Sequence, residues 1–164
     1  MSLDFDSIFE TAISKHPGAS ERLIAEFLHS LFADVTVAEY PSSRRSESER
    51  WQIPGSTLPK PYLDFLRWSD GGEFQNGDRL MQFFSTTGDN NVREANLDYA
   101  VPRHSPDLLA FASDGGGNLY CFDMSRKDFP IHALEVGGPP AGSWPIEPSF
   151  MDAIQATTRI VDLC

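Results

Sequence analysis

Two apolar runs, Leu108-Leu109-Ala110-Phe111-Ala112 and Leu119-Tyr120-Cys121-Phe122-Asp123, flank the short segment Ser113-Asp114-Gly115-Gly116-Gly117-Asn118. No other feature constrains the fold as strongly. Runs of this kind separated by glycines read as two strands and a tight connection, because glycine adopts the positive φ that such connections require. Strands joined this way are antiparallel, and residues 130–136 (Pro-Ile-His-Ala-Leu-Glu-Val) supply a further strand. Leu80-Met81-Gln82-Phe83-Phe84 is another, followed by a polar turn that contains Asp89-Asn90-Asn91.

Helical periodicity dominates elsewhere. Over residues 3–16, Phe5, Ile8, Phe9, Ala12 and Ile13 recur at spacings of three and four, which predicts an amphipathic helix stopped by Pro17-Gly18. Ser20 caps a second helix carrying Leu23, Ile24, Phe27, Leu28, Leu31 and Phe32 on its apolar stripe. Leu58-Pro59-Lys60-Pro61-Tyr62 opens a third, since proline is tolerated where an N–H would lack an acceptor, and Tyr62, Phe65 and Leu66 share one face. Asp70-Gly71-Gly72 reads as its C-terminal cap. Residues 92–99 form a helical or irregular stretch. Ser149 with Asp152 resembles a capping box for a last helix that buries Phe150, Ala153 and Ile154. Val35-Thr36-Val37-Ala38-Glu39-Tyr40 reads as a short strand, residues 41–50 as an exposed polar loop, and residues 137–142 as a Gly/Pro-rich connection. Helices first, strands in the middle and a helix last predict an α+β fold: a single domain, mainly antiparallel sheet with helices packed beside it.

Charge narrows the partners. With 13 Lys plus Arg against 24 Asp plus Glu the formal charge is −11, while 40% hydrophobic residues, including 12 Phe, exclude a disordered acidic tail. An acidic surface repels nucleic acid and anionic lipid, so neither is expected as a partner and a basic protein is. Cys121 and Cys164 make no disulfide framework or zinc spacing, the N-terminus has no signal-peptide pattern, and a cytoplasmic location is expected.

Motifs for chemistry are sparse. The Asp114–Asn118 glycine turn lacks the Lys-Ser/Thr of a phosphate-binding loop, and Asp89-Asn90-Asn91 and Asp114/Asn118 lack calcium-loop spacing. His16, His29, His104 and His132 have no nucleophile motif to pair with. Phe83-Phe84, Trp68 and Trp144 read as core or lid residues. No catalytic, cofactor-binding or metal-binding residue is assigned. Carboxylates bracket the glycine cap (Asp70, Glu73, Asp78) and the segment 125–127 (Asp123, Asp128), which is a solubilising face or a surface that steers a basic partner.

Taken in order, Leu58-Pro59-x-x-Tyr62-x-x-Phe65-Leu66, Asp70-Gly71-Gly72-Glu73, Phe111-Ala112-Ser113-Asp114-Gly115-Gly116-Gly117-Asn118, Phe129-Pro130-Ile131 and Ser149-Phe150-x-x-Ala153-Ile154 resemble the SUKH superfamily, the Smi/Knr-like domains. The resemblance covers about residues 51–156. It implies an α+β domain without general enzymatic activity. Bacterial members are largely regarded as immunity proteins that neutralise a cognate polymorphic toxin, and fungal relatives as signalling scaffolds. Leu58, Pro59, Tyr62, Gly71, Gly72, Asp114, Gly115, Gly116 and Gly117 match motif positions that look structural in the family. Residues 1–50 then form an N-terminal helical extension and polar loop before the SUKH-like unit at 51–164. The leading expectation is an immunity protein that binds a basic toxin through Asp70, Glu73, Asp78 and Asp114, with the oligomeric state left open. The alternatives are a regulatory scaffold module, and a hydrolase using His104 or His132 with a carboxylate.

Overall fold

In the computed structural model, which describes residues 3–41, 50–136 and 142–163, the glycine-turned hairpin forms the middle of a seven-stranded sheet. The strands are β1 (Thr11–Lys15), β2 (Gly72–Asn76), β3 (Arg79–Phe83), β4 (Leu108–Ser113), β5 (Asn118–Asp123), β6 (Ile131–Glu135) and β7 (Ser143–Glu147), and they lie in the sheet in chain order. Every pairing is antiparallel. Helices α1 (Glu21–Leu31), α2 (Lys60–Trp68), α3 (Val92–Asp98), α4 (Val101–His104) and α5 (Phe150–Gln155) complete a single α+β domain, as expected. β5 is buried along its whole length, whereas both edges are open: all of β1 is exposed and no residue of β7 is buried.

Local chemistry explains the elements that match expectation. The Ser20 hydroxyl accepts from the Leu23 amide at 3.1 Å, and the Ser149 hydroxyl accepts from the Asp152 amide at 3.2 Å, each satisfying an N–H that the first helical turn leaves free. α2 starts after Pro59 and buries Tyr62, Phe65 and Leu66 completely. Phe65 meets Phe74, Phe83 and Phe150 with ring centroids 4.2–6.0 Å apart, and Phe111 stacks on Phe122 at 4.2 Å. Phe84 is buried, while Trp68 and Trp144 are half-buried.

Three expectations are corrected. Residues 3–16 are no helix: a 3-10 turn at Phe5–Ser7 leads into strand β1. The three-and-four spacing of Phe5, Ile8 and Phe9 comes from that turn, which sends Phe5 onto Trp68 and Phe9 onto Phe74, while Ile13 lies exposed in the edge strand. Val35-Tyr40 is no strand either, because no sheet edge reaches it. Its Val37–Glu39 portion is a 3-10 turn in which the Glu39 carboxylate accepts from the Thr36 amide. Finally, α2 ends on Ser69 in extended conformation, and Gly71 (φ +82°) and Gly72 (φ +105°) turn the chain into β2 rather than capping the helix. Residues 42–49 of the loop expected over 41–50, and most of the Gly/Pro-rich connection, lie outside the described residues.

The sheet splits in the middle. β3 and β4 share only the pairs Gln82↔Ser113 and Phe83↔Ala112, and beyond them α3 fills the gap. Buried Asn96 acts there as a strand surrogate: its Oδ1 accepts from the Ala110 amide at 2.8 Å, and its Nδ2 donates to the Ala110 carbonyl at 2.9 Å. Asn96→Ala leaves both backbone groups without partners, so a loss of about 2–4 kcal/mol is expected in urea unfolding at unchanged m-value. A loss below about 1 kcal/mol would show that Ala110 does not depend on this side chain.

Candidate functional site

Between β3 and α3 the chain forms a tightly braced loop at residues 85–91. The Val92 amide donates to the Ser85 carbonyl at 2.9 Å, the Ser85 hydroxyl donates to the Thr87 carbonyl at 2.7 Å, and Asn91 Oδ1 caps α3 through the Glu94 amide at 2.9 Å. Asn90 takes a positive φ of 58°. From below, Asp70 accepts from both the amide and the hydroxyl of Thr86, each at 2.8 Å. Its two carboxylate oxygens are therefore committed to holding the loop.

Two concavities flank this loop. One is a cleft of about 590 Å³ between the loop, α1 and α3, with Phe27 and Leu97 at its base and Glu39, Arg93, Glu94 and Asp98 among its walls. The other is a hollow of about 350 Å³ on the β1–β3 side, lined by Ser14, His16, Glu73, Gln82 and Asp89. Arg93 carries no spare charge for the cleft. Its guanidinium pairs with Glu39 at 2.8 Å and donates to the carbonyls of Ser30, Leu31, Ala33 and Asp34, closing the C-terminal end of α1. That guanidinium holds the Glu39 carboxyl below its usual range.

Several cations elsewhere are committed in the same way. Arg67 pairs with Glu21 and Asp64, Arg79 with Glu147, Arg22 with Glu26, and Lys15 donates to the Trp68 carbonyl. Among the described residues, Glu73, Asp89, Glu94 and Asp98 have no ion-pair partner, so both concavities carry net negative charge. Glu94 and Asp98 lie one turn apart on the exposed side of α3. Sequence reasoning did not single out Asp89, Glu94 or Asp98 as contact residues. The i,i+4 carboxylates opposite the buried Val92, Ala95 and Asn96 are the signal that could have found the α3 pair.

The four carboxylates expected to contact a partner are dispersed. Glu73 is half-buried on β2 and accepts from Gln82 Nε2 at 3.3 Å; the same Gln82 amide abuts Gly115, which brings Glu73 and the Asp114 turn to one end of the sheet. Asp114 accepts from the amides of Gly116 and Asn118 and from Asn118 Nδ2, forming an Asx turn within which Gly115 and Gly117 take positive φ. Asp78 is exposed at the opposite end of the β2–β3 hairpin, where its amide donates to the Thr157 carbonyl. Asp70 is turned inward, as above.

The motif positions are scaffold. Leu58 and Tyr62 are buried, Pro59 precedes α2, and the Tyr62 hydroxyl sits without a hydrogen bond among aromatic rings. Burial drives its proton affinity well above that of ordinary tyrosine, with the Asp70 charge adding to the effect.

Around His16, His29 and His132 no catalytic group is preassembled among the described residues. His16 Nδ1 lies 2.8 Å from the Asp70 carbonyl, and His29 is exposed on α1. His132 Nε2 stands 3.6 Å from Asp123 Oδ2, but the neighbouring Ser125 hydroxyl donates to Asp123 Oδ1 at 2.6 Å and not to the imidazole, so this serine is not activated as a nucleophile would be. Burial raises the Cys121 thiol far above its usual range, which keeps it protonated and unreactive. Among the described residues, no three His, Cys, Asp or Glu side chains converge as metal ligands, and no helix is long and apolar enough to cross a membrane.

A seven-stranded antiparallel meander with flanking helices, split by a side-chain-bridged gap and bearing paired acidic concavities, defines a single-domain α+β protein. Residues 49–153 match the model of the SMI1 / KNR4 family (SUKH-1), and the chain belongs to that family. No curated protein matches the chain.

Proposed function

We propose that this protein is an immunity protein that binds a single cognate polymorphic toxin and neutralises it by covering its active site or its access to substrate, with no catalysis of its own. Membership of the SUKH family supports the reading, and the cytoplasm is the compartment in which such protection acts. The observation that carries it is the placement of Glu73, Asp89, Glu94 and Asp98 around the 85–91 loop without compensating cations. A toxin with a basic face is the complementary partner. Charge so arranged accelerates encounter more than it deepens the final complex.

The test uses the product of the neighbouring gene, which this reading expects to encode the toxin. Its association rate with this protein is expected to fall at least about tenfold between about 0.02 and 0.5 M salt, and Glu94→Lys with Asp98→Lys is expected to lower the low-salt rate. A salt-independent rate would remove the steering role. Failure of co-expression to protect cells from that toxin would remove the immunity reading, and recovery of a stable multiprotein assembly with no toxin-like component would favour a regulatory scaffold.

A further inference from the structure

The two edges of the sheet are unlike each other. β7 carries Pro145, whose missing N–H closes that edge to an added strand, whereas β1 contains no proline and all five of its residues are exposed. β2 pairs with one side of β1, and no described strand pairs with the other. Open edges are commonly guarded by a lysine or a bulge. Lys15 does not guard this one: its Nζ donates to the Trp68 carbonyl at 2.8 Å and to the His16 carbonyl at 3.2 Å, and lies 4.9 Å from the centre of the Trp68 ring, so the side chain folds back over the end of α2. The bulge between Ala12 and Ser14 shortens the ladder that the edge can offer and leaves Ile13 49% exposed within it.

Charge selects what fits. Ser14 pairs with Glu73 and Glu73 with Gln82, so these side chains form one row across β1, β2 and β3, on the face that holds the hollow of about 350 Å³. Glu73 accepts from Gln82 Nε2 at 3.3 Å and pairs with no cation among the described residues, and Asp89 lines the same hollow. The row ends at the small, exposed Ser14. We propose that β1 receives an extended segment of a basic protein partner as an additional strand, with an arginine or lysine opposite Ser14 that reaches over the serine to Glu73. Strands lie about 4.8 Å apart, so that position is two spacings from Glu73, a span that an extended cationic side chain and a glutamate bridge together. Main-chain bonds along the edge supply the affinity, and the cation on this row supplies the selection. The inference deepens the toxin reading, from which it takes only the basic character of the partner.

The test is a two-dimensional NMR titration of the full chain. The probe is the capped peptide acetyl-Thr-Val-Arg-Val-Thr-amide, run beside the same peptide with glutamate in place of arginine and beside a fully N-methylated arginine peptide, which has no N–H to donate. Saturable shifts of the amides of residues 11–15 and of Glu73, with slowed hydrogen exchange in β1, are expected with the arginine peptide. The glutamate peptide is expected to bind about two- to fivefold more weakly, as befits one solvated ion pair, and the N-methylated peptide to leave the β1 amides unshifted. Glu73→Gln is expected to abolish the preference for arginine over glutamate. Should that variant not fold, Ser14→Lys at an exposed position sets a cation beside Glu73 from within and has the same expected effect. Linear, unsaturating shifts, or equal binding of the N-methylated peptide, would overturn the added strand. Equal binding of the arginine and glutamate peptides, or a preference that survives in either folded variant, would overturn the assignment of Glu73. Peptide binding at β1 without protection of cells would remove the toxin reading alone, and protection without peptide binding would remove this inference alone.

Discussion

Replacing Arg79 by alanine is expected to cost about 3–5 kcal/mol of stability and to leave much of the protein unfolded or aggregated at physiological temperature. Arg79 is 1% exposed, an unusual position for a guanidinium, and its environment explains how it is tolerated. Nε donates to the Thr158 carbonyl at 2.7 Å, one terminal nitrogen to the Ala153 carbonyl at 2.8 Å, and the other to Glu147 at 3.2 Å, while the Tyr120 ring lies 5.9 Å away. One side chain from β3 thus ties together the end of β7, the last turn of α5 and the segment that follows. Removing it leaves the Glu147 carboxylate and two carbonyls without their donor. Chemical denaturation followed by tryptophan fluorescence measures the loss. Arg79→Met tests the cause, because it preserves much of the volume and discards the bonds. If both variants stayed within about 1 kcal/mol of the parent, the idea that Arg79 anchors the C-terminal segment would be wrong.

Gly72→Ala is the second large effect. At φ +105° the backbone is in a region that L side chains rarely adopt, and a Cβ there would lie 2.3 Å from the Ser14 carbonyl oxygen and 3.1 Å from a Phe74 ring carbon. The carbonyl belongs to β1, so relief of the clash means pushing the edge strand off β2. A destabilisation of at least about 2 kcal/mol is expected, since backbone strain alone contributes about 1–3 kcal/mol. Hydrogen exchange should show the loss concentrated in β1 and β2, leaving the β4–β5 hairpin protected. Uniform loss of protection would instead show that β1 and the rest of the sheet unfold as one unit. Gly88, also at positive φ but with nothing within 4 Å of its Cβ position, is the control for strain without a clash.

The elements legible in the sequence are those whose signal is local. Tyr62, Phe65 and Leu66 fall on one face of a helix whatever that face packs against, and Ser20, Ser149 and Asp114 bond to amides two to four residues away. The strands that escaped notice carry almost no apolar pattern. β2 is Gly-Glu-Phe-Gln-Asn, with a single large apolar residue, and β7 contains Pro145, which can neither donate to a ladder nor sit in a central strand. β1 reads as a helix because Phe5, Ile8 and Phe9 satisfy a helical spacing across the 3-10 turn at Phe5–Ser7 and the two residues that follow it. In each case the strand exists because a neighbouring backbone pairs with it, which no short window of sequence contains.

The same division governs the surface. A charge of −11 makes a basic surface the electrostatic complement of this chain from composition alone, and the ordered motifs identify the family. Which carboxylates remain available is decided by folding. Asp70 spends both oxygens on Thr86 and Asp114 spends its own on a hairpin turn, whereas Asp89, Glu94 and Asp98 stay solvated and unpaired around a loop that Asp70 holds in place. A carboxylate reads alike in sequence whether it accepts buried amides or faces water. Its role follows from the donors that distant segments bring to it, and those meet it only in the folded chain.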